Sequence, residues 1–275
     1  KHGARVILMP EKGDANDYVQ NGGDLKELLA PPNDDDFSVD ADDWSDQPAP
    51  IRWLVKNWLQ REALMMCFGP SGHGKTFMVL DWCLHLASGL ETWQGERIHP
   101  CNVFYMAGEG HHGLRSRIAA WKHANFVKKL NMRITKRACN LNKPEGFFMA
   151  SNHIKKLDYN PGLIVVDTLH GFLEGDENSA QDAKTMIDNC KALIEEFNCA
   201  VLLVHHTGVS DSAQHRARGS SSFKGAMDIE IQVIKSDKGV IKVNQTKSKD
   251  AEQAEPFYAC LKSVEIPGWF DEYEN

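Results

Sequence analysis

The sequence lacks the features that would mark a membrane or secreted protein. Its 275 residues include no signal peptide and no apolar run near the roughly 18 residues that a membrane-spanning helix needs. The seven cysteines have no paired C-x-x-C spacing, which argues against a disulfide framework and against a zinc motif. A net charge of -7 excludes a broadly basic surface, so any nucleic-acid contact must be local. We therefore expect a soluble cytoplasmic protein without a membrane partner.

The clearest positive signal is the segment GPSGHGKT, which matches the phosphate-binding pattern G-x-x-x-x-G-K-[ST] at every position. The apolar run 64–68 before it predicts a buried strand, and the apolar spacing of residues 77–86 after it predicts a helix. The three glycines let the backbone point its N–H groups at a polyphosphate, and the N-terminus of the helix adds its dipole. The predicted binding residues are Gly69, Pro70, Ser71, Gly72, His73, Gly74, Lys75, Thr76 and Phe77.

This loop predicts that the chain binds a nucleoside triphosphate. In the pattern, Lys75 reaches the β- and γ-phosphates and the Thr76 hydroxyl holds Mg²⁺. The apolar run 162–166 ends in Asp167, a carboxylate that would reach the same metal ion through water. Thr168 follows Asp167 where a glutamate would otherwise activate the attacking water. The water-activating carboxylate therefore has to come from another part of the chain.

Glu109 is the candidate for that carboxylate. It stands between two glycines after the apolar run 102–107, which predicts a second strand of the sheet. We expect this strand to lie beside the strand that precedes the phosphate loop, with Glu109 facing the γ-phosphate and orienting or deprotonating water. The alternative is that Glu109 is an ordinary residue of a turn.

Two histidines follow the buried-strand run 200–204. A polar side chain at this strand end would face the phosphates and could report the loss of the γ-phosphate. One histidine must point into a face of the sheet, so only the other can have this role. We favour His206 over His205, because His206 lies further from the apolar run. The alternative is a structural histidine that ends the strand.

The basic segment 209–223 and a later lysine pair are candidates for contacts outside the chain. The segment is rich in serine and glycine and contains Arg218, so it predicts a loop that holds DNA phosphates; a solvated loop is the alternative. Lys247 and Lys249 lie two residues apart at a predicted strand end. They would stabilise the γ-phosphate of a neighbouring subunit, or they are solvated surface lysines.

The composition divides the chain into three parts. Residues 31–50 are rich in aspartate and proline and predict a charged linker. Residues 1–30 contain a strand and a turn that resemble the closing segment of the Toprim domain of primases, on the stretch PEKGDANDY. That resemblance implies a longer primase–helicase polypeptide; the alternative is a strand and turn that pack on the next domain. Residues 51–275 form the third part.

The ordered set of the phosphate loop, Glu109, Asp167, His206 and the lysine pair resembles RecA-like hexameric replicative helicases of the RepA type. The stretches GEGHHGLRSRIAAW and RARGSSSFKGAMD are similar to two motifs of that group. The resemblance implies a phage or prophage helicase that binds ATP and Mg²⁺ between the subunits of a ring, usually hexameric, with single-stranded DNA in the centre. The finger that reaches the neighbouring site is often Lys-x-Arg in this group, so Arg218 is an alternative to Lys247 and Lys249.

The predicted fold is α/β: a twisted, mostly parallel sheet with helices on both faces, continued by an antiparallel C-terminal extension. We expect the extension to contain strands over 227–235, 239–245 and 257–265, and we expect loops over 171–179 and 209–223. Because the predicted water-activating carboxylate, Glu109, does not directly follow Asp167, the sequence favours a RecA-type motor over kinases and AAA+ machines. Two rival functions stay open: a RecA-like recombinase or single-strand-binding ATPase, and a nucleotide switch or loader.

Overall fold

The computed structural model describes residues 38–46, 50–157, 159–207 and 221–269, and its contacts divide the chain into two compact units, Lys1–Pro50 and Ile51–Asn275. In the first unit, helix α1 (Ala41–Ser45) begins where the Asp40 side chain accepts a hydrogen bond from the Asp42 N–H. The Toprim-like segment 1–30 lies outside the described residues.

In chain order the described strands are β1 (Trp53–Val55), β2 (Leu59–Gln60), β3 (Leu64–Gly69), β4 (Thr92–Trp93), β5 (Glu96–Arg97), β6 (Val103–Ala107), β7 (Met132–Ile134), β8 (Leu163–Asp167), β9 (Ala200–His206), β10 (Ile229–Lys235), β11 (Ile241–Ser248) and β12 (Phe257–Ala259). Eight of them form a single sheet, in the order β12-β11-β10-β3-β9-β8-β6-β7. The strands β10, β3, β9, β8, β6 and β7 run parallel, while β10, β11 and β12 are joined in antiparallel pairs. This arrangement confirms the predicted parallel sheet with an antiparallel extension.

Helices pack on both faces of this sheet. The helices of the second unit are α2 (Lys75–Ser88), α3 (His111–Ala124), α4 (Pro144–Lys156), α5 (Leu169–Phe172), α6 (Ala180–Phe197) and α7 (Ser221–Ala226). Helices α2 and α3 share one core cluster with alternate strand residues, and α4 to α7 share the other. Within the described part of the chain, no helix is long and apolar enough to cross a membrane.

The period of two along each strand explains why both faces are apolar. In β3, for example, Met65 and Cys67 belong to the core under α2, whereas Leu64, Met66 and Phe68 belong to the core under α6. A parallel strand covered on both faces is therefore apolar at every position, as the run 64–68 is. The carboxyl ends of β3, β9, β8 and β6 meet at one edge of the sheet.

The predicted position of the strand before Glu109 is wrong. We expected β6 beside β3, but β9 and β8 lie between them. Strand β3 pairs with β9 along the whole length of β3, from Leu64↔Val201 to Gly69↔His206. The reason is topological: crossovers through helices allow parallel strands to skip positions, so order along the chain does not give order in the sheet.

Several predicted element boundaries also need correction. The strand predicted over 257–265 ends at Ala259, and the chain from Cys260 to Trp269 lines a cleft where we expected sheet pairing. The loop predicted over 209–223 gives way to α7 at Ser221, because Phe223 buries its ring in the core. The loop predicted from 171 begins only after α5. Strand β11 extends to Ser248, so Lys247 lies within it.

A half-buried carboxylate connects the helix after the phosphate loop to its neighbours. Asp81 on α2 accepts hydrogen bonds from Trp93 Nε1 at 2.7 Å and from Trp121 Nε1 at 2.8 Å. His85 lies one turn along the same helix, with Nδ1 at 3.3 Å from Asp81 Oδ1. Burial alone would raise the pKa of Asp81, but the hydrogen bonds from His85 and the two indoles hold that pKa below its usual value. The charged carboxylate thus joins α2, the β4–β5 hairpin and α3.

We expect Asp81→Ala to lower the free energy of unfolding by about 2–3 kcal/mol, because it leaves two indole N–H groups without their acceptor. The matched control is Asp188→Ala, which removes an exposed ion pair with Lys184 on α6 and should cost about 0.5 kcal/mol or less. Urea unfolding followed by tryptophan fluorescence measures both. Equal losses in the two variants would contradict the anchoring role of Asp81.

Candidate nucleotide site

The phosphate loop connects the end of β3 to the start of α2, as its sequence predicts. Gly72 and Gly74 have φ values of 77° and 94°, in the left-handed region that favours glycine. Gly69 has a different role from the one predicted: it is the last residue of β3, and a Cβ there would lie 2.1 Å from the carbonyl oxygen of Val233. Gly69 therefore permits close strand packing, while Gly72 and Gly74 shape the turn.

Lys75 is buried at the first position of α2, with 5% of its surface exposed. Its Nζ donates hydrogen bonds to the carbonyl oxygens of Gly69 at 2.9 Å and Pro70 at 2.8 Å. It also lies 3.1 Å from Nδ1 of His206. Burial lowers the pKa of Lys75, because the charged form loses hydration. The ammonium group is thus held at the centre of the loop.

Asp167 ends β8 beside the loop and is almost fully buried. Its carboxylate accepts a hydrogen bond from the Tyr105 hydroxyl, and the Thr76 side chain lies near enough to affect its pKa. Burial raises the pKa of Asp167, and these two hydroxyls and the charge of Lys75 oppose that rise. The structure therefore brings together the two side chains, Thr76 and Asp167, that we predicted as metal ligands. Tyr105 was not predicted.

Glu109 lies exposed in the turn between β6 and α3. The turn is fixed to β8, because the Gly108 N–H donates to the carbonyl oxygen of Asp167 at 2.7 Å. Gly108 also faces Gly171 so closely that a Cβ on Gly108 would lie 3.5 Å from the Gly171 Cα. Glu109 therefore stands at the same sheet edge as Asp167, although its strand is three positions from β3. Its role in activating water stays a prediction.

The two histidines that end β9 point in different directions. His205 is 1% exposed and packs with the Phe223 ring in the sheet interior, 6.2 Å between ring centroids. His206 is half-buried and contacts Lys75. Burial and the charge of Lys75 lower the pKa of His206, against an opposing effect of Glu109 and Glu177. This geometry gives His206 access to the phosphate loop; its sensing role stays a prediction.

The lowered pKa of His206 predicts that acid destabilises this contact. The neutral ring accepts a hydrogen bond from Lys75, whereas protonation would put two cations 3.1 Å apart. Because the folded pKa lies below the unfolded value of 6.5, the unfolded chain binds more protons in acid and stability falls as the pH drops below about 6.5. Unfolding measured from pH 7.5 to 5 should show a smaller fall for His206→Asn than for the wild type or for His99→Asn. An unchanged pH dependence in His206→Asn would contradict this.

The donor set at the loop fits Mg²⁺ bound together with phosphates. The part of the chain that the structure describes has no group of three His, Cys, Asp or Glu side chains able to hold a metal ion by itself. Mg²⁺ is typically bound through one or two carboxylates plus substrate phosphates, which Asp167 and Thr76 match. Among the described residues, the Thr168 and Thr207 hydroxyls are buried at the ends of β8 and β9 without a hydrogen-bond partner. A polar ligand at this edge would satisfy them.

A cleft of about 1210 Å³ opens next to the loop, between α2, α3 and the chain after β12. Phe77, the last predicted binding residue, lines this cleft together with Gly74. The guanidinium carbon of Arg117 lies 4.0 Å from the centroid of the Phe77 ring. From the sequence, Arg117 could serve a subunit contact or form part of a solvated face; its contact with Phe77 was not predicted.

The two lysines proposed to reach a neighbouring subunit have partners within the chain. Lys247 Nζ donates to the carbonyl oxygens of Lys224 at 2.8 Å and Gly225 at 3.3 Å, in α7. Lys249 forms an ion pair of 3.5 Å with Asp228. These contacts do not test a role across subunits, which stays a prediction. Arg218, the alternative, lies outside the described residues.

The comparisons with known proteins agree with this geometry. No curated protein matches the chain. A solved structure of a DnaB-like replicative helicase, studied with its interactions with primase, is similar with a TM-score of 0.59 and 12% sequence identity; the match covers 90% of this chain and 69% of that one. The chain therefore shares the fold of that solved structure. Residues 30–212 match a family described as an AAA domain. The chain belongs to this AAA domain family, AAA_25.

Proposed function

We propose that this chain is an ATP-hydrolysing motor that translocates on single-stranded DNA and unwinds duplex DNA in replication. The observation that carries the proposal is the meeting of strand ends at the phosphate loop, where Lys75 contacts His206 and the buried Asp167 ends β8. Family membership supports nucleotide use, and the fold shared with a DnaB-like replicative helicase supports a motor on DNA.

Each residue of the site has a distinct part in hydrolysis. Lys75 supplies positive charge to the phosphates. Thr76 and Asp167 would hold Mg²⁺, which when bound neutralises further phosphate charge. Glu109 orients the attacking water and accepts its proton, while the water oxygen bonds to the γ-phosphorus and the bond to the ADP oxygen breaks.

His206 couples the presence of the γ-phosphate to the rest of the chain. The γ-phosphate and His206 both bind the ammonium group of Lys75, so they compete for it. Release of phosphate would let His206 return to Lys75 and move the end of β9. We propose that the basic segment that follows β9 binds DNA. Motion of the end of β9 would therefore change the affinity of that segment for DNA.

Strand displacement on a forked duplex tests the motor function. We expect the chain to separate the strands with ATP and Mg²⁺, and to fail with a non-hydrolysable ATP analogue. Exchange of homologous strands without displacement would indicate a recombinase instead. Slow hydrolysis that does not respond to DNA, together with no displacement, would indicate a nucleotide switch or loader.

We also propose that the site is completed by a neighbouring copy in a ring, with Lys247, Lys249 or Arg218 as the residue that reaches it. Mass measurement in solution with an ATP analogue and single-stranded DNA tests this assembly. The expected species has about six times the 30.9 kDa mass of the chain. A monomer under all these conditions would contradict every role assigned across subunits.

A further inference from the structure

We propose that Tyr105 is a positioning residue for the metal site, acting through the hydrogen bond that its hydroxyl donates to Asp167 Oδ2. The inference rests on the proposed function, in which Asp167 and Thr76 hold Mg²⁺ beside ATP. Tyr105 touches neither reactant in this account. It determines how the carboxylate of Asp167 is presented to them.

The sheet register places the two side chains together. Ala107 pairs with Asp167 and Tyr105 pairs with Val165, two residues earlier on each strand. Side chains two residues apart on a strand share a face, so Tyr105 and Asp167 lie on the same face of adjacent strands. From there the Tyr105 hydroxyl donates to Asp167 Oδ2.

Both groups are buried, so neither can replace this hydrogen bond with one to water. Tyr105 is 0% exposed and Asp167 is 6% exposed, so each would have little access to water if the hydrogen bond were lost. Loss of the Tyr105 hydroxyl would therefore leave a buried carboxylate oxygen without its donor.

The hydrogen bond also restricts the carboxylate geometrically. A carboxylate has about four lone-pair sites, and Tyr105 occupies one of them on Oδ2. This hydrogen bond links the carboxylate on β8 to the neighbouring strand β6 and limits its rotation. Groups that hydrogen-bond to a ligand in this way usually change metal affinity by about 10- to 100-fold when they are removed.

The ring of Tyr105 has a separate structural role, which allows the two roles to be tested apart. It packs in the core cluster that contains Val79 and Cys83 of α2. Phenylalanine would keep this packing and remove only the hydroxyl. A second tyrosine offers a matched control: the Tyr159 hydroxyl donates to the carbonyl oxygens of Val103 at 2.8 Å and Asn131 at 2.7 Å, and it does not contact Asp167.

The test compares Mn²⁺ binding by Tyr105→Phe, Tyr159→Phe and the wild type, using electron paramagnetic resonance in the presence of AMP-PNP. We expect the Mn²⁺ dissociation constant to rise about 10-fold in Tyr105→Phe and to stay unchanged in Tyr159→Phe. AMP-PNP affinity without metal should be the same in all three. Tyr105→His, which offers an N–H donor, should recover part of the affinity if the phenylalanine variant folds poorly.

The outcomes separate the inference from the function on which it rests. Equal Mn²⁺ affinity in Tyr105→Phe and the wild type, with only a lower melting temperature in the variant, would reduce Tyr105 to a packing residue and overturn the inference. If the wild-type chain binds Mn²⁺ with AMP-PNP and Tyr105→Phe binds it equally well, the proposed function still holds and only the inference about Tyr105 fails. A wild-type chain that binds neither would overturn the proposed function and this inference with it.

Discussion

Replacing Lys75 with alanine is expected to reduce ATP hydrolysis by at least about 100-fold, with or without DNA, because the substitution removes the positive charge at the centre of the phosphate loop. The charge is held there by the carbonyl oxygens of Gly69 and Pro70, so no other described side chain can take its position without rearrangement. Phosphate release measured at saturating ATP gives the rate, and nucleotide binding should weaken in parallel.

Lys156→Ala is the matched control for this variant. Lys156 is an exposed residue near the end of α4, so its loss should leave hydrolysis unchanged. Circular dichroism should show the same fold in both variants. Substantial hydrolysis by correctly folded Lys75→Ala protein would mean that the loop does not bind the phosphates as we propose.

The second large effect is expected from Glu109→Gln, which keeps the size of the side chain and removes its ability to accept a proton. Loss of a general base typically costs about 100-fold or more in turnover. Glutamine leaves the loop and the metal ligands intact, so the variant should still bind ATP with nearly wild-type affinity. Loss of turnover with retained ATP binding would show that Glu109 acts in the hydrolysis step, whereas Lys75 also contributes to nucleotide binding.

Glu91→Gln provides the comparison, because Glu91 is exposed in the connection after α2 and belongs to no part of the site. Single-turnover hydrolysis should be normal in Glu91→Gln and nearly absent in Glu109→Gln. Full hydrolysis by the Glu109→Gln protein would remove Glu109 from the mechanism and return it to the alternative of an ordinary turn residue.

The sequence was most informative where chemistry depends on local pattern. Three local features could be read from short stretches of sequence. They are the phosphate loop, the buried strand that ends in Asp167, and the opposite directions of the His205 and His206 side chains. The structure ends β8 at Asp167 and buries His205 while His206 contacts Lys75, although β9 extends two residues beyond the predicted run. The antiparallel extension was also predicted, because alternating apolar residues around Gly239 indicate a hairpin.

The sequence was least informative where contacts join distant parts of the chain. The position of β6 could not be read from its own residues, because any apolar strand fits any slot of a sheet covered on both faces. Tyr105 was missed for the same reason: within VFYMA it reads as one more core residue. Its single polar atom, two residues before the strand end, was the only available signal.

The central claim is that the chain hydrolyses ATP and that DNA controls the rate, and one measurement addresses both points. The rate of phosphate release by the wild-type chain should be followed with and without single-stranded DNA, at saturating ATP and Mg²⁺. The account predicts steady hydrolysis that rises when the DNA is added. Binding of ATP without release of phosphate, in the presence of DNA, would contradict it.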